Sequence, residues 1–341
     1  MKDIAIIGAG AIGSALGALL SRAGYQVSLI GRPAQVEAIR RDGLRVDGAR
    51  GAFTVRVAAA QALDFRPELA LLTVKTQDVV DAVQANRDFL VGVPLVSFQN
   101  GVRSDELLAG VLSPRQLLSA VVNIHATYLD PGTVTLLYPG PVVIGRPFGR
   151  NDAQTEAVAA VLRAAVPTSV SDDIRGVHWL KLIVNLNNAF PALCNATFHR
   201  IYADPALRLL AVQVMLEGLR VAKRAGIRLR SLPDTPAALI YLMQWLPLRL
   251  AARLAAAKAR RFESRWPLLG STLQSLRRHR PTEIDYLNGE VLRLGQELGV
   301  ATPLNAVLVE MVHESERSAR FHAVEALDAA IRARLDALRA R

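Results

Sequence analysis

Lys181 and Asn185 are the pair whose residue types and spacing point most directly to chemistry in this sequence. They lie four positions apart in the apolar stretch 177–193, which reads VHWLKLIVNLNNAFPAL. Residues four apart share one face of a helix. A lysine held in apolar surroundings has a lowered pKa and can donate a proton near neutral pH. The alternative is a lysine whose stem is buried and whose amine reaches water, beside a structural asparagine.

Lysine is scarce in this chain, so each lysine in an apolar setting is informative. Among 41 Lys plus Arg residues, the lysines are Lys2, Lys75, Lys181, Lys223 and Lys258. Arginine therefore supplies the ordinary surface charge, and arginine cannot give up its proton near neutral pH whereas lysine can. Lys75 directly follows an apolar strand-like run. At the carboxyl end of a strand, a ligand-binding role is favoured over that of a plain loop lysine.

Two further polar residues lie next to expected structural boundaries. Asn100 follows another strand-like run, but Asn100-Gly101 is also an ordinary turn signal, so the residue alone is weak evidence. Glu283 lies where proline and threonine precede an apolar periodic stretch, which is a helix-start pattern. One interpretation is that Glu283 complements a helix dipole. The functional interpretation is a hydrogen-bonding partner for a substrate and for Lys181.

The elements that must position these groups begin with a nucleotide-binding pattern. Gly8, Gly10 and Gly13 form G-x-G-x-x-G between a strand-like run and a helix-like run, and a second strand-like run follows. In this β-α-β context Gly8 permits a tight turn, Gly10 lets a pyrophosphate approach the backbone, and Gly13 lets helix and strand pack closely. A glycine-rich helix cap or a secretory signal explains the spacing less well. We therefore expect residues 8–13, Ala11 and Ile12 included, to bind phosphates at the helix start.

The residue that follows the second strand predicts which dinucleotide binds. NAD-binding units usually place Asp or Glu there, whereas NADP-binding units place a cation near the 2′-phosphate. This chain has Gly31 and Arg32 at that point and no acid before Glu37. A guanidinium binds a phosphate bidentately, and a carboxylate repels it. We therefore expect NADPH rather than NADH; the alternative is that Arg32 is an ordinary solvated loop residue.

The order of apolar runs predicts an α/β amino-terminal domain with a Rossmann-type doubly wound sheet, followed by an all-α domain. Further strands are expected at 52–57, 69–74, 94–98, 117–123, 133–137, 142–144 and 168–171, with helices at 78–86 and 152–165. Turn signals before and inside residues 133–144 suggest antiparallel hairpins there. Long Ala/Leu/Arg helical patterns follow. We place the boundary between a dinucleotide-binding domain, 1–173, and a helical substrate and catalytic domain, 174–341.

Composition narrows the classes of function. The chain carries a net charge of +11, but its arginines lie in Ala/Leu-rich helical stretches without interleaved aromatics, so we expect no specific nucleic-acid partner. No apolar run is long enough to predict a membrane span. Cys194, the single cysteine, cannot form an internal disulfide, and no Cys/His cluster has metal-ligand spacing. We expect a cytoplasmic protein with a small-molecule substrate and no metal; a homodimer remains open.

Five segments together resemble the ketopantoate reductase (2-dehydropantoate 2-reductase) family. They are GAGAIG at 8–13, TVK at 73–75, QNG at 99–101, KLIVN at 181–185 and TEIDYLNG at 282–289. The similarity spans nearly the whole chain. It implies a Rossmann domain, a helical domain and an active site in the cleft between them. It also implies that NADPH delivers hydride to C2 of 2-dehydropantoate, giving pantoate on the route to pantothenate and coenzyme A.

The resemblance also implies roles for single residues. Lys181 matches the general acid that protonates the forming alkoxide, and Glu283 matches the acidic residue of the substrate cleft. Such an ammonium stabilises the negative charge that hydride arrival places on oxygen while it donates a proton. Asn185 and Ser271 match positions that hydrogen-bond the substrate. The matching cleft residues on the Rossmann side, near cofactor and substrate, are Lys75 and Asn100.

The sequence departs from the family pattern at two substrate positions. Ala189 stands where the family often carries a second asparagine of the catalytic helix, and Asn187 and Asn188 are expected on other helix faces. Leu268 stands where an asparagine that touches substrate is common. Polar contacts discriminate between substrates more strongly than apolar fit. Two alternatives therefore stay open: a reductase of a different, bulkier 2-oxo acid, and a non-catalytic NADP(H)-binding sensor protein.

Overall fold

The computed structural model describes residues 1–128, 130–263 and 270–340. Leu268 lies outside these residues. Contacts divide the chain into two compact units, Met1–Val177 and His178–Arg341. The first unit combines strands and helices, and the second is helical.

Two β-sheets lie in the first unit. Within the residues described, one has eight strands in the order β12-β11-β8-β7-β6-β1-β2-β5, and the other has four in the order β4-β3-β10-β9. In the larger sheet six neighbouring strands are parallel to one another, in the spatial order β8, β7, β6, β1, β2 and β5. Strand β11 runs antiparallel to β8. The strand bounds are β1 Asp3–Ile7, β2 Gln26–Ile30, β3 Leu44–Gly48, β4 Phe53–Val55, β5 Ala58–Ala60, β6 Leu69–Leu72, β7 Leu95–Ser97, β8 Leu117–Val122, β9 His125–Thr127, β10 Thr133–Tyr138, β11 Val142–Gly145 and β12 Thr168–Val170.

The central strand β1 is covered on both faces. Ile4 and Ile6 belong to one apolar core cluster, and Ala5 and Ile7 belong to another on the opposite face. A parallel sheet buried on both faces is doubly wound, which confirms the predicted Rossmann-type fold. The strand order reverses between β1 and β6. A ligand of such a sheet binds outside the carboxyl ends of the strands at this reversal.

The helices of the first unit flank these sheets. Helix α1 packs on β2 of the main sheet and on β3, β9 and β10 of the second sheet. This double contact explains why α1 is apolar around most of its circumference, and it holds the amino terminus of α1 in place. The helix bounds are α1 Ala11–Arg22, α2 Pro33–Asp42, α3 Val79–Gln84, α4 Arg87–Leu90, α5 Ser104–Ala109 and α6 Ala153–Arg163, with 3₁₀ turns at Thr76–Asp78 and Pro114–Gln116.

Two expectations about the strands were wrong in detail. The single strand expected over 52–57 is instead β4, at the edge of the second sheet, followed by β5, at the edge of the main sheet. Of the antiparallel hairpins expected around 133–144, the first is formed by β9 and β10, whereas the second is absent among the described strands, because β10 pairs with β9 and β3 and β11 pairs with β8. Gly140 permits this change of sheet: a Cβ there would lie 2.1 Å from the carbonyl oxygen of Asn123.

The second unit is a helical assembly around the long helix α10. Asp204 caps α10 by accepting hydrogen bonds from the N–H groups of Ala206 at 2.8 Å and Leu207 at 2.9 Å. Helices α9, α12, α14 and α15 pack against α10. The bounds are α7 Ile174–Asn185, α8 Ala189–Leu193, α9 Phe198–Ala203, α10 Pro205–Arg224, α11 Ala237–Met243, α12 Leu248–Glu263, α13 Ser271–Arg277, α14 Asn288–Leu298, α15 Pro303–Ser318 and α16 Val324–Arg339, with 3₁₀ turns at Leu186–Asn188 and Ile284–Tyr286. In the described part of the chain, no helix combines the length and apolar character that crossing a membrane requires.

Candidate active site

The glycine-rich loop after β1 folds back onto the end of β2. The N–H groups of Gly8 and Ala9 both donate to the carbonyl oxygen of Ile30, at 2.8 and 3.0 Å. Gly8 has a φ of +113°, a backbone conformation that favours glycine. A Cβ at Gly13 would lie 2.1 Å from the carbonyl oxygen of Gly8. The first turn of α1 therefore packs directly on the loop.

Thr73, just beyond β6, fixes the same loop from the neighbouring strand. Its hydroxyl donates to the carbonyl oxygen of Gly8 at 2.7 Å, and its N–H donates to that of Ile7 at 2.8 Å. Thr73 is part of the TVK motif, but no role for it was predicted. A polar residue at the end of an otherwise apolar strand is the signal that pointed to it.

The start of α1 fits a pyrophosphate. Gly10 is the N-cap of α1, no side chain caps this helix end, and the first turn carries no acidic residue. A Cβ at Gly10 would meet no atom within 4 Å. The first N–H groups of a helix, here those of Ala11, Ile12 and Gly13, have no acceptor within the helix. They can therefore bind the phosphates of a dinucleotide.

Lys75 and Asn100 are brought together by the loops after β6 and β7. The buried hydroxyl of Thr76 donates to the carbonyl oxygen of Asn100 at 3.1 Å. Nε2 of Gln99 donates to the carbonyl oxygens of residues 72 and 74, at 2.9 and 3.0 Å. Lys75 and Asn100, both half-buried, thus lie at the carboxyl ends of two adjacent strands, next to the reversal in strand order.

The side-chain oxygen of Gln99 is a buried hydrogen-bond acceptor next to Lys75 and Asn100. Its side chain is 4% exposed, and its Oε1 has no hydrogen-bond partner among the described residues. A buried unpaired acceptor is costly, and a hydroxyl or amide of a bound cofactor would satisfy it. Gln99 was not among the predicted site residues, because the asparagine and the turn glycine of QNG are its more conspicuous residues.

Arg32 begins α2 as its N-cap and is exposed. A Cβ on the preceding Gly31 would lie 2.7 Å from the Cβ of Ala9, so Arg32 follows a residue that touches the glycine-rich loop. The first turn of α2 contains no acidic residue. An anion bound beside Arg32 would be stabilised by its guanidinium and by the amino terminus of α2.

Lys181 lies on α7 of the second unit in an apolar setting. Its chain neighbours Leu180 and Leu182 are 0% and 1% exposed, and its own side chain is half-buried. Burial lowers the pKa of Lys181 to about 8, while the negative charge of Glu283 acts in the opposite direction. An amine with this pKa is protonated at neutral pH and gives up its proton readily.

Asn185 is the last residue of α7, and a 3₁₀ turn follows it at Leu186–Asn188. Side chains three apart eclipse in a 3₁₀ turn, so Asn188 lies close to the face of Asn185. The expected helix is thus interrupted by a 3₁₀ turn directly after Asn185. Asn188 Oδ1 is 3.5 Å from the position of a Cβ on Gly270, the residue before Ser271. Asn188 is therefore a polar residue near the predicted substrate positions.

Ser271 and Glu283 also belong to the second unit. Ser271 is the first residue of α13. Glu283 precedes the 3₁₀ turn Ile284–Tyr286, and α14 begins only at Asn288. The helix that was predicted to start at Glu283 is therefore only a single 3₁₀ turn, and Glu283 does not lie in the first turn of α14. This placement favours the functional interpretation of Glu283 over the helix-dipole one.

The two halves of the chain match two protein-family models. "Ketopantoate reductase PanE/ApbA" covers residues 4–148, and "Ketopantoate reductase PanE/ApbA C terminal" covers residues 173–316. The chain belongs to the ketopantoate reductase family. It is 31% identical to the 2-dehydropantoate 2-reductase of Pyrococcus horikoshii over 315 residues, which cover 92% of this chain and 97% of that relative.

Two solved structures show the same similarity. A PanE/ApbA family ketopantoate reductase from Ralstonia eutropha JMP134 matches with a TM-score of 0.77 and 32% identity, over 92% of this chain and 98% of that chain. A D-mandelate dehydrogenase, solved with NADH and anilino(oxo)acetate, matches with a TM-score of 0.80 and 24% identity, over 92% and 98% of the two chains. This second likeness shows the fold alone.

Membership of the ketopantoate reductase family makes the chain an oxidoreductase with a nicotinamide dinucleotide cofactor, as predicted. The open backbone at Gly10 and the unpaired Oε1 of Gln99 fit such a cofactor. Among the described residues, no group of His, Cys, Asp or Glu is arranged to hold a metal ion.

Proposed function

We propose that this protein reduces 2-dehydropantoate to pantoate with NADPH, on the route to pantothenate and coenzyme A. The observation that carries the proposal is Lys181, an amine whose pKa is lowered to about 8 beside the carboxylate of Glu283. A non-catalytic sensor has no need of a buried amine with this protonation behaviour. Relatives such as the protein of Pyrococcus horikoshii carry the name of the same reaction.

Each group of the second unit has a distinct task in this reaction. When bound, NADPH supplies a hydride to C2 of the 2-oxo acid. Lys181 stabilises the negative charge that develops on the carbonyl oxygen and donates a proton to it. Glu283 keeps Lys181 protonated through its charge and accepts a hydrogen bond from the substrate. Asn185 and Ser271 hydrogen-bond the substrate and orient it.

The first unit holds the cofactor in this proposal. The N–H groups at the start of α1 bind the pyrophosphate, and Arg32 binds the 2′-phosphate, which NADH lacks. Lys75 and Asn100, at the strand ends, contact the nicotinamide half and the substrate. The absence of an acidic residue from the first turn of α2 supports NADPH over NADH.

Asn188 supports a hydroxylated substrate. 2-Dehydropantoate carries a hydroxyl group on C4, and a site that hydrogen-bonds a hydroxyl discriminates strongly against analogues without one. Ala189, which raised the alternative of a bulkier acid, is fully buried. Asn188 Oδ1 lies 3.5 Å from the position of a Cβ on Gly270, the residue before Ser271, and this supports Asn188 as the replacement for the polar group lost at position 189.

The test is NADPH oxidation with a panel of 2-oxo acids, compared by kcat/KM. The panel contains 2-dehydropantoate, its analogue without the hydroxyl, and a bulky aromatic 2-oxo acid, each assayed with NADPH and NADH. We expect 2-dehydropantoate with NADPH to give the highest value. A higher kcat/KM for the aromatic acid would reject the substrate, and an equal or lower KM for NADH would reject the role of Arg32.

A further inference from the structure

Residues 282–287, which carry Glu283, do not form a regular helix. They contain a single 3₁₀ turn, Ile284–Tyr286, and Leu287 ends it with φ −109° and ψ −95°. So short a turn supplies few hydrogen bonds of its own. The position of Glu283 must therefore be fixed by contacts with other elements.

The first such contact lies directly before Glu283. The N–H group of Thr282, which is 6% exposed, donates to Oε1 of Glu316 on α15 at 2.7 Å. The hydroxyl of Thr282 in turn accepts the N–H group of Ile284 at 3.2 Å. Glu316 thus anchors the backbone on the amino-terminal side of Glu283.

The second contact lies two residues after Glu283. Oδ1 of Asp285 is 2.9 Å from Nε2 of His313 on α15, and Nδ1 of His313 is 2.8 Å from Oε2 of Glu316. His313 and Glu316 are three positions apart and share a face of α15. The chain of contacts from Asp285 through His313 and Glu316 to Thr282 therefore encloses Glu283 from both sides. We call His313 and Glu316 the α15 clamp.

The charges around His313 favour the protonated ring, which donates hydrogen bonds from both of its nitrogens. An imidazole ring donates from both nitrogens only when it is protonated. Burial acts to lower the pKa of His313, but the hydrogen bonds to Glu316 and Asp285 outweigh it and raise that pKa. The other acidic side chains on this part of α15, Glu310 and Glu314, pair with Arg334 of α16 instead.

We propose that His313 is a positioning residue that holds Glu283 beside Lys181 and so sets the protonation of the proton donor. The inference rests on the roles proposed above for Lys181 and Glu283. The charge of Glu283 raises the pKa of Lys181 against the effect of burial. When the clamp is broken, Glu283 is free to move away, and the pKa of Lys181 falls.

The scarcity of lysine makes a direct test practical. With lysine labelled with ¹³C at the ε-carbon, the full-length protein gives signals from Lys2, Lys75, Lys181, Lys223 and Lys258, and a Lys181→Arg variant assigns the one of interest. The pKa of Lys181 is then read from its pH titration in wild type and in His313→Ala. His199→Ala, which removes an exposed histidine of the same unit, is the matched control.

We expect His313→Ala to lower the pKa of Lys181 by about one pH unit, because a nearby opposite charge typically moves a pKa by about 1–3 units. The alkaline limb of the kcat profile should move to lower pH by the same amount. His199→Ala should change neither quantity, and the Kd of NADPH, bound by the first unit, should stay unchanged in both variants.

An unchanged pKa of Lys181 in a folded His313→Ala variant would overturn the proposal, even if its Tm falls, because a purely structural role predicts only the change in Tm. Should His313→Ala fail to fold, Glu316→Gln keeps an acceptor for Thr282 while it removes the negative charge that favours the protonated histidine. This variant should lower the pKa of Lys181 in the same direction by a smaller amount, and no change would also count against the clamp. The titration needs no substrate, so its outcome is independent of whether 2-dehydropantoate is turned over.

Discussion

Burial of the Lys181 amine should cost the folded protein stability at neutral pH. Burial lowers its pKa from 10.5 to about 8, and one pKa unit corresponds to about 1.4 kcal/mol. The side chain is half-buried, so water screens part of this effect, and the cost is at most about 3 kcal/mol. Functional groups are commonly kept at the expense of stability in this way.

Lys181→Met should therefore stabilise the protein at pH 7, because methionine has a similar length and no charge. The unfolded lysine keeps its proton up to about pH 10.5, whereas the folded one releases it near pH 8. Wild-type stability thus rises relative to the variant as pH increases between these values. Denaturant unfolding at pH 7 and pH 9.5 measures this: the gain of about 1–3 kcal/mol at pH 7 should shrink at pH 9.5. A gain independent of pH would show that the charge is not its cause.

The residues proposed for proton transfer can be singled out in the sequence, whereas the residue proposed to position them cannot. Lys181 and Asn185 stand out because lysine is rare and because the spacing of four residues defines a helix face, and Glu283 stands out in the TEIDYLNG motif. His313 acts through Asp285, which lies 28 positions away in the sequence. No local pattern reveals such a contact, because it depends on how α15 packs against residues 282–287.

Two glycines of the loop between β1 and α1 are needed for different reasons, Gly13 for packing and Gly10 for the approach of a ligand. Gly13 has to be glycine because of its close contact with the loop itself, and a Cβ there would also lie 2.5 Å from Oγ1 of Thr73. Gly10 has open space around its α-carbon and a negative φ of −84°, which any residue adopts. Its glycine is needed only when a ligand approaches.

Alanine substitutions at Gly10 and at Gly13 distinguish the need for ligand access from the need for close packing. Gly10→Ala should leave the Tm of the free protein unchanged and raise the Kd of NADPH at least about tenfold, because the methyl group fills the path of the pyrophosphate. Gly13→Ala should lower the Tm of the free protein, because its methyl group collides with the backbone. Thermal unfolding and fluorescence titration with NADPH provide both readouts. Unchanged NADPH affinity in Gly10→Ala would place the phosphates elsewhere.

Most strands of the larger sheet could be predicted from the sequence, whereas its edge strand β5 and the pairing within the smaller sheet could not. Long apolar runs such as those of β1, β2 and β6 indicate buried parallel strands whatever their partners. Strand β5 consists of three alanines, which have low strand propensity, and its place follows from pairing with β2. The 3₁₀ turn after Asn185 was missed for a similar reason, since the apolar pattern of an α-helix continues through it.

The residues proposed for cofactor binding and those proposed for proton transfer belong to different units of the chain. The glycine-rich loop, Arg32, Lys75 and Asn100 belong to the first unit, and Lys181 and Glu283 belong to the second. A substitution of Lys181 or Glu283 should therefore alter kcat and leave the Kd of NADPH unchanged. The fold and the family could be predicted from the sequence because motifs for both functions are local.

We propose above that Lys181 donates the proton in an NADPH-dependent reduction of 2-dehydropantoate. The most direct measurement is kcat with this substrate in wild type and Lys181→Ala, together with the Kd of NADPH for both. We expect kcat to fall by about 10²–10⁴-fold, the usual contribution of a general acid, while the Kd of NADPH stays within about twofold. A Lys181→Ala variant that retains the wild-type kcat would show that Lys181 is not the proton donor.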